Sequence, residues 1–218
     1  MIRFENAVKR YTSRGESKWI LRGLNMELPR GRSIGILGYN GAGKSTLIRM
    51  ISGAEEPDFG TIHRDLKISW PLGFGGSIAG NMSGHDACMF VSRLYDMDPH
   101  RVIHFVQDFS ELGPYFFEAT SSYSSGMKAR LTFGLSMAVD FDCYLVDEIT
   151  AVGDSRFKAK CLAAFNERRK YADIIMVSHS EKTIRDYCDM GAILADGELT
   201  LYDDLDQAMS LYREMMEQ

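Results

Sequence analysis

Eight consecutive residues, Gly38-Tyr39-Asn40-Gly41-Ala42-Gly43-Lys44-Ser45, fit the spacing G-x-x-x-x-G-K-[ST] at every fixed position. The residue types suit one chemistry. Glycines let the backbone turn tightly and aim successive N–H groups at phosphate oxygens. Lys44 can reach the β- and γ-phosphates, and the Ser45 hydroxyl can ligate Mg²⁺. A second cluster lies about a hundred residues on, where the apolar run Cys143-Tyr144-Leu145-Val146 ends in Asp147-Glu148. In a chain that already carries a phosphate loop, Asp147 stands where the Mg²⁺ partner is expected. Glu148 beside it can orient or deprotonate water. Two other patterns carry less. His100 and His104 are four apart with no third ligand in sequence, so they read as surface histidines. The glycine-rich run 73–84 can almost be forced to G-x-G-x-x-G, but no helix follows at once, and it reads as a flexible connection.

The elements that must hold these residues can be read around them. Ile34-Gly35-Ile36-Leu37 is one short buried strand, and Thr46, Leu47, Ile48, Met50 and Ile51 recur at helical spacing, giving strand, turn and helix about the loop. Upstream, Ile2, Phe4 and Val8 alternate as a half-buried strand with Tyr11 where it runs out. A polar loop (13–18) and a second strand, 20–28, follow. Residues 61–72 read as a strand hairpin interrupted by Asp65. Ser83 caps a helix with Ala87, Phe90, Val91 and Leu94 on one face, and Pro99 starts another. Tyr123-Ser124-Ser125-Gly126-Met127 precedes a helix running to about Val139, by itself only a well-made N-cap. Asp154 precedes a charged helix, and Ile174–Val177 is a buried strand ending in Ser178-His179. Asp196-Gly197 closes a hairpin, and a last helix spans 203–216.

The whole chain sets bounds. Its 218 residues suffice for one domain with a subdomain. A formal net charge of −5 and a pI near 5.6 argue against nucleic acid as the partner. Cys88, Cys143, Cys161 and Cys188 have no C-x-x-C spacing and read as reduced core thiols of a cytosolic protein. No secretory h-region stands at the N-terminus, and no apolar run approaches the ~18 residues of a membrane span.

Taken in this order, the motifs resemble the ATP-binding subunit of an ATP-binding cassette (ABC) transporter over essentially all 218 residues. The resemblance implies an α/β fold, a P-loop NTPase (RecA-like) core with an antiparallel β subdomain and a helical subdomain. The chain is then a single nucleotide-binding domain, with 1–72 and 141–218 as the catalytic core and 73–140 as the helical part. It implies ATP and Mg²⁺, with the phosphates held by Gly38, Asn40, Gly41, Ala42, Gly43, Lys44, Ser45 and Thr46, and the metal by Ser45 and Asp147. Glu148 becomes the catalytic glutamate and His179 the switch histidine. Tyr11 becomes the aromatic that stacks on adenine, and Asp154 the loop aspartate that crosses the dimer. Ser124, Ser125, Gly126 and Met127 match the signature motif, which acts in trans. Ser125 and Met127 depart from its usual glycine and glutamine, and Gly73 stands where a glutamine is usual.

These departures look like the subgroup that energises export of bacterial capsular polysaccharide. The implied partners are a second copy in a head-to-tail homodimer, an integral-membrane permease, and indirectly a lipid-linked polysaccharide with periplasmic and outer-membrane export proteins. The implied location is the cytoplasmic face of the inner membrane. Three alternatives stay open: an exporter of another surface glycan such as O-antigen or teichoic acid, a soluble ABC ATPase outside transport, and a catalytically silent nucleotide-binding regulator. Residues 73–95 are expected to form a groove for a helix of the membrane subunit, with a plain surface loop as the other reading.

Overall fold

Two sheets organise the first of two units. The computed structural model describes residues 1–13, 16–72, 80–147, 154–178 and 180–217. Contacts group the chain into Met1–Pro71 with Phe141–Glu148 and Ala172–Gln218, and Leu72–Asp140 with Ile149–Tyr171. The second unit therefore includes Ile149–Tyr171, which the sequence grouping assigns to the first.

In the first unit, β1 (Ile2–Ser13) and β2 (Glu16–Leu28) form a long antiparallel ladder, and β4 (Phe59–Arg64) pairs along the other edge of β1. Ile2 and Phe4 are buried as the alternation predicts. A register shift after Phe4, with Asn6 at φ 48°, then changes which residues face in. Beyond it Ala7 and Lys9 are buried and Val8 is half-buried. β1 also continues past Tyr11 to Ser13, so Tyr11 lies within the ladder rather than at its end.

The second sheet has the order β5-β6-β3-β7-β8, with β5 (Cys143–Asp147), β6 (Asp173–Val177), β3 (Ile34–Leu37) and β7 (Met190–Ala195) parallel. Their uninterrupted apolar runs suit strands covered on both faces. β8 (Glu198–Tyr202) returns antiparallel to β7 through Asp196 and Gly197, both at positive φ, the geometry a two-residue hairpin turn requires. The helices of this unit are α1 (Lys44–Ser52), α6 (Glu181–Tyr187) and α7 (Leu205–Met216). Gly35 lets Ile184 of α6 approach β3, and Gly191 lets Ala208 of α7 approach β7; a Cβ on either glycine would lie within 2.4 Å of its neighbour.

The expected 61–72 hairpin is not what forms. Residues to Arg64 belong to β4, whereas Lys67–Ser69 run parallel to the start of β5 through an Ile68–Cys143 bridge. Ser69 donates its N–H to Cys143 O (2.9 Å), and its hydroxyl accepts from Leu145 N–H (2.9 Å). Two sheets compete for one segment, and Asp65 marks the division.

The second unit is helical. α2 (Gly84–Leu94) opens with a capping box between Ser83 and Asp86. α3 (Pro99–Ser110) is capped by Asp98, α4 (Ser125–Ala138) by Ser124, and α5 (Ser155–Arg168) by Asp154. Phe109 packs among Phe105, Phe133 and Phe157, joining α3, α4 and α5. Ala87 and Val91 of α2 are buried, but Phe90 and Leu94 are 57% and 61% exposed, so the four do not share one buried face. The inward face of α2 includes Cys88 and Ser92 instead, turning Phe90 and Leu94 toward solvent. All four cysteines are buried free thiols, and burial pushes Cys88, Cys143 and Cys161 up to about 12.

Candidate functional site

The site is built at the C-terminal ends of the parallel strands, where ligands bind in open α/β sheets. β3 delivers the chain into residues 38–43, and α1 begins at Lys44. Each glycine here has a local cause. A Cβ on Gly38 would stand 2.6 Å from the Leu194 carbonyl of β7. Gly41 and Gly43 adopt positive φ of 81° and 109°, and a Cβ on Gly43 would stand 2.6 Å from Ile20. Gly43 is also the N-cap of α1, with no side-chain cap and no acidic residue in the first turn. The N–H groups of that turn are thus presented with the positive end of the helix, an arrangement suited to an anion.

Lys44 is 8% exposed and folds back on its own loop, donating to Gly38 O (2.6 Å) and Tyr39 O (3.0 Å). Tyr212 of α7 also donates to Gly38 O (3.2 Å), and the Tyr39 hydroxyl donates to Asp196 (3.3 Å). The loop is therefore held from the far end of the chain as well as by its own turn.

A cleft of about 450 Å³ opens over the loop. Asn40, Gly41, Gly43, Lys44, Ser45, Thr46 and Arg49 form its floor, Asp147 and Val177 close the strand side, and Tyr11, Lys18 and Ile20 come from the β1–β2 ladder. Of the site residues predicted from sequence, the structure brings Tyr11, Asp147 and the loop to one cleft. Ser45 and Asp147 both line it, and the hard oxygen donors these residues carry suit Mg²⁺, which binds through one or two protein oxygens plus phosphate.

Tyr11 is held by a polar cluster. Its hydroxyl donates to Glu55 Oε1, and Arg49 approaches that hydroxyl at 3.4 Å. Arg49 Nε donates to Glu55 Oε2 (3.1 Å), and a terminal nitrogen of Arg49 donates to Thr46 Oγ1 (3.1 Å). Lys9 pairs with Glu55 (3.0 Å) and Asp58 (3.4 Å) and lies 5.6 Å from the Tyr11 ring centre. Burial alone would raise the Glu55 pKa, but hydrogen bonds from Tyr11, Lys9 and Arg49 outweigh it and hold the carboxyl below its ordinary value.

Ser124 to Met127 lie in the second unit, at the head of α4. The Ser124 hydroxyl accepts the Met127 N–H (3.2 Å), while Ser125 and Gly126 begin the helix. Asp154 accepts the Phe157 N–H (2.9 Å) as the cap of α5 and pairs with Arg130 of α4 (3.0 Å). The Phe157 N–H bond, opposed only in part by burial, keeps the Asp154 carboxyl below its ordinary range. Glu148, His179, Gly73 and the rest of 73–79 lie outside the described residues.

Sequence reasoning missed Lys9, Lys18, Arg49, Glu55 and Tyr212. The one available signal was the two-residue spacing of Lys9 and Tyr11, which would put both on one face of a regular strand, and here the register shifts between Lys9 and Arg10. Nothing local links Tyr11 with Glu55, 44 residues away.

A family model described as ABC transporter matches residues 21–151. The ATP-binding protein BexA of Haemophilus influenzae is 51% identical over 98% of this chain and 99% of its own length. The capsule polysaccharide export ATP-binding protein CtrD of Neisseria meningitidis is 48% identical over 99% of this chain and all of its own. Among solved structures, a dimeric ATP-binding cassette in a post-hydrolysis state with ADP and Pi superposes with a TM-score of 0.73. It is 18% identical, covering 94% of this chain and 99% of that one, a likeness of fold. No helix among the described residues is long and apolar enough to cross a membrane.

Proposed function

The chain belongs to the ABC transporter family and is one of its ATPases, and from that premise we propose that it powers export of a capsular polysaccharide across a bacterial inner membrane. The observation that carries this reading is its similarity, end to end on both chains, to a protein whose name specifies capsule polysaccharide export. The chain acts as the ATPase subunit, peripheral to the cytoplasmic face, beside a separate membrane-spanning permease.

In this reading ATP lies in the cleft with its phosphates on the loop N–H groups and its base on Tyr11. Lys44 exchanges its carbonyl partners for the β- and γ-phosphates, a charge-assisted contact in place of neutral ones. Ser45 and Asp147 would hold Mg²⁺, which when bound neutralises charge on the phosphates. Glu148 orients and polarises the attacking water, and His179 stabilises the γ-phosphate as charge develops.

These groups come from one side only. A second copy, head to tail about a two-fold axis, supplies Ser124 and the Gly126 backbone to the other, with Asp154 near the crossing. Binding closes the pair, hydrolysis opens it, and the motion passes to the permease through the second unit. Phe90 and Leu94 on α2, and Phe117 on the neighbouring 3₁₀ turn (Gly113–Phe117), are exposed apolar side chains suited to that contact.

The test is genetic. In an encapsulated host lacking its own copy, the chain should restore surface capsule, and the Lys44→Ala variant should not, leaving lipid-linked glycan inside. Failure of the wild-type gene to restore capsule, with O-antigen or teichoic acid export restored in the matching host instead, would move the substrate assignment to that glycan.

A further inference from the structure

The cluster behind Tyr11 does more than an ordinary surface ion pair. We propose that Glu55 is a positioning residue that aims the Tyr11 ring at the nucleotide base, with Arg49 tying that alignment to Thr46 in the phosphate-binding helix. The inference rests on the reading of Tyr11 as the base-stacking residue.

Three features carry it. The first is that Glu55 is spent on this task from both oxygens. Oε1 receives the Tyr11 hydroxyl and Lys9, Oε2 receives Arg49, and the side chain is only 19% exposed. The second is that the Tyr11 hydroxyl is engaged twice, donating to Glu55 and facing Arg49, although the residue as a whole is 41% exposed. Apart from its β1 backbone, these contacts and the Lys9 ammonium near its face orient this ring. The third is placement. Arg49 and Thr46 share α1 with Lys44 and Ser45, and Glu55 follows that helix closely, with its own N–H donated to Arg49 O (3.2 Å). The base platform and the phosphate platform are therefore referenced to one helix, although Tyr11 belongs to another sheet.

A ring held in its binding orientation beforehand spares the ordering cost that a mobile side chain would incur when the base arrives. An interaction that only stabilised the fold would give no preference between ligands with and without a base. That difference separates the two roles. Inorganic tripolyphosphate presents the phosphate chain and lacks the base.

The experiment measures dissociation constants for ATP and, by competition, for tripolyphosphate, both with Mg²⁺. The proteins are the full-length chain and its Glu55→Ala, Tyr11→Ala, Tyr11→Phe and Glu55→Ala/Tyr11→Ala variants. Glu55→Ala should weaken ATP about three- to tenfold while tripolyphosphate stays within about twofold. In the Tyr11→Ala background the Glu55 substitution should have no further effect on ATP, because there is no ring left to aim. Tyr11→Phe, which keeps the ring and removes only the hydroxyl, should reproduce the Glu55→Ala selectivity with little change in thermal unfolding. It carries the test if Glu55→Ala fails to fold. Equal weakening of both ligands, unchanged ATP affinity in Glu55→Ala and Tyr11→Phe, or additive effects in the double variant would each overturn the proposal while leaving Tyr11 its role. If Tyr11→Ala itself leaves ATP affinity unchanged, the base-stacking reading fails and the positioning role falls with it.

Discussion

Tyr11 and Lys18 are direct partners across the β1–β2 ladder, and both line the cleft over the 38–45 loop. Lys18 Nζ stands 3.1 Å from the place a side chain on Gly41 would begin, and among the described residues it pairs with no carboxylate. An ammonium held over a phosphate loop attracts the polyphosphate through partly screened charge. Lys18→Ala should therefore weaken ATP binding about two- to fivefold at low salt, a difference that shrinks at high salt. Titration of a fluorescent nucleotide at two ionic strengths checks both parts. Equal effects at both salts would remove the electrostatic role.

Glu148→Gln should keep ATP affinity and lose at least about a hundredfold in turnover, since in the proposed mechanism it removes the group that polarises water and leaves Lys44 and Asp147 in place. The variant should accumulate as an ATP-bound dimer on size exclusion. Turnover within about a factor of two of wild type would take Glu148 out of the role. His179→Ala should likewise spare binding and slow hydrolysis.

Base selectivity should be poor. In the proposed role, stacking on Tyr11 rewards any purine face, so GTP should be hydrolysed with a kcat/KM within about tenfold of that for ATP. A much larger preference for ATP would mean that a hydrogen-bonding group reads the adenine edge.

The acid limb of stability should depend on the cluster beneath Tyr11. The Arg10 N–H lowers the Asp58 pKa, with Lys9 adding to it against burial, and Glu55 also lies below its ordinary 4.5. Groups lowered in this way stabilise the fold above the pKa of the unfolded chain, and that contribution is lost as pH falls through the folded value. Tm should thus be insensitive to these groups above about pH 5 and fall below about pH 4. Asp58→Asn should flatten that fall, measured as the slope of Tm against pH. An unchanged slope would place the acid sensitivity elsewhere.

Gly191→Val should destabilise the chain by about 1–3 kcal/mol, because even a Cβ there would meet Ala208 at 2.3 Å. Calorimetry should register a Tm lower by several degrees, and Ala208→Gly in the same chain should recover part of it.

What the sequence disclosed follows the range of the forces involved. The strand, turn and helix around 38–45 stand where their residues place them, because one contiguous stretch must satisfy loop geometry and burial together. The hairpin at Asp196-Gly197 was legible for the same reason. Features set by distant partners were not. The bulge at Asn6 that brings Lys9 inward depends on pairing with β2 and β4, and the division of 61–72 between two sheets depends on β5. Helical spacing fixed that α2 has an apolar stripe but not its rotation, which packing in the second unit decides and which leaves Phe90 and Leu94 outside. The Tyr11–Glu55 contact joins a partly exposed strand tyrosine to a largely covered glutamate in the connection after α1, and no periodicity encodes such a pair.

The hydrogen bond from Tyr212 to Gly38 has a practical consequence for handling this chain. α7 packs outside the parallel strands, yet it braces the first glycine of the loop and fills the space that Gly191 leaves open. Trimming that helix would act on the nucleotide site 174 positions upstream. A reporter or affinity handle spliced in at Tyr212 would remove that brace.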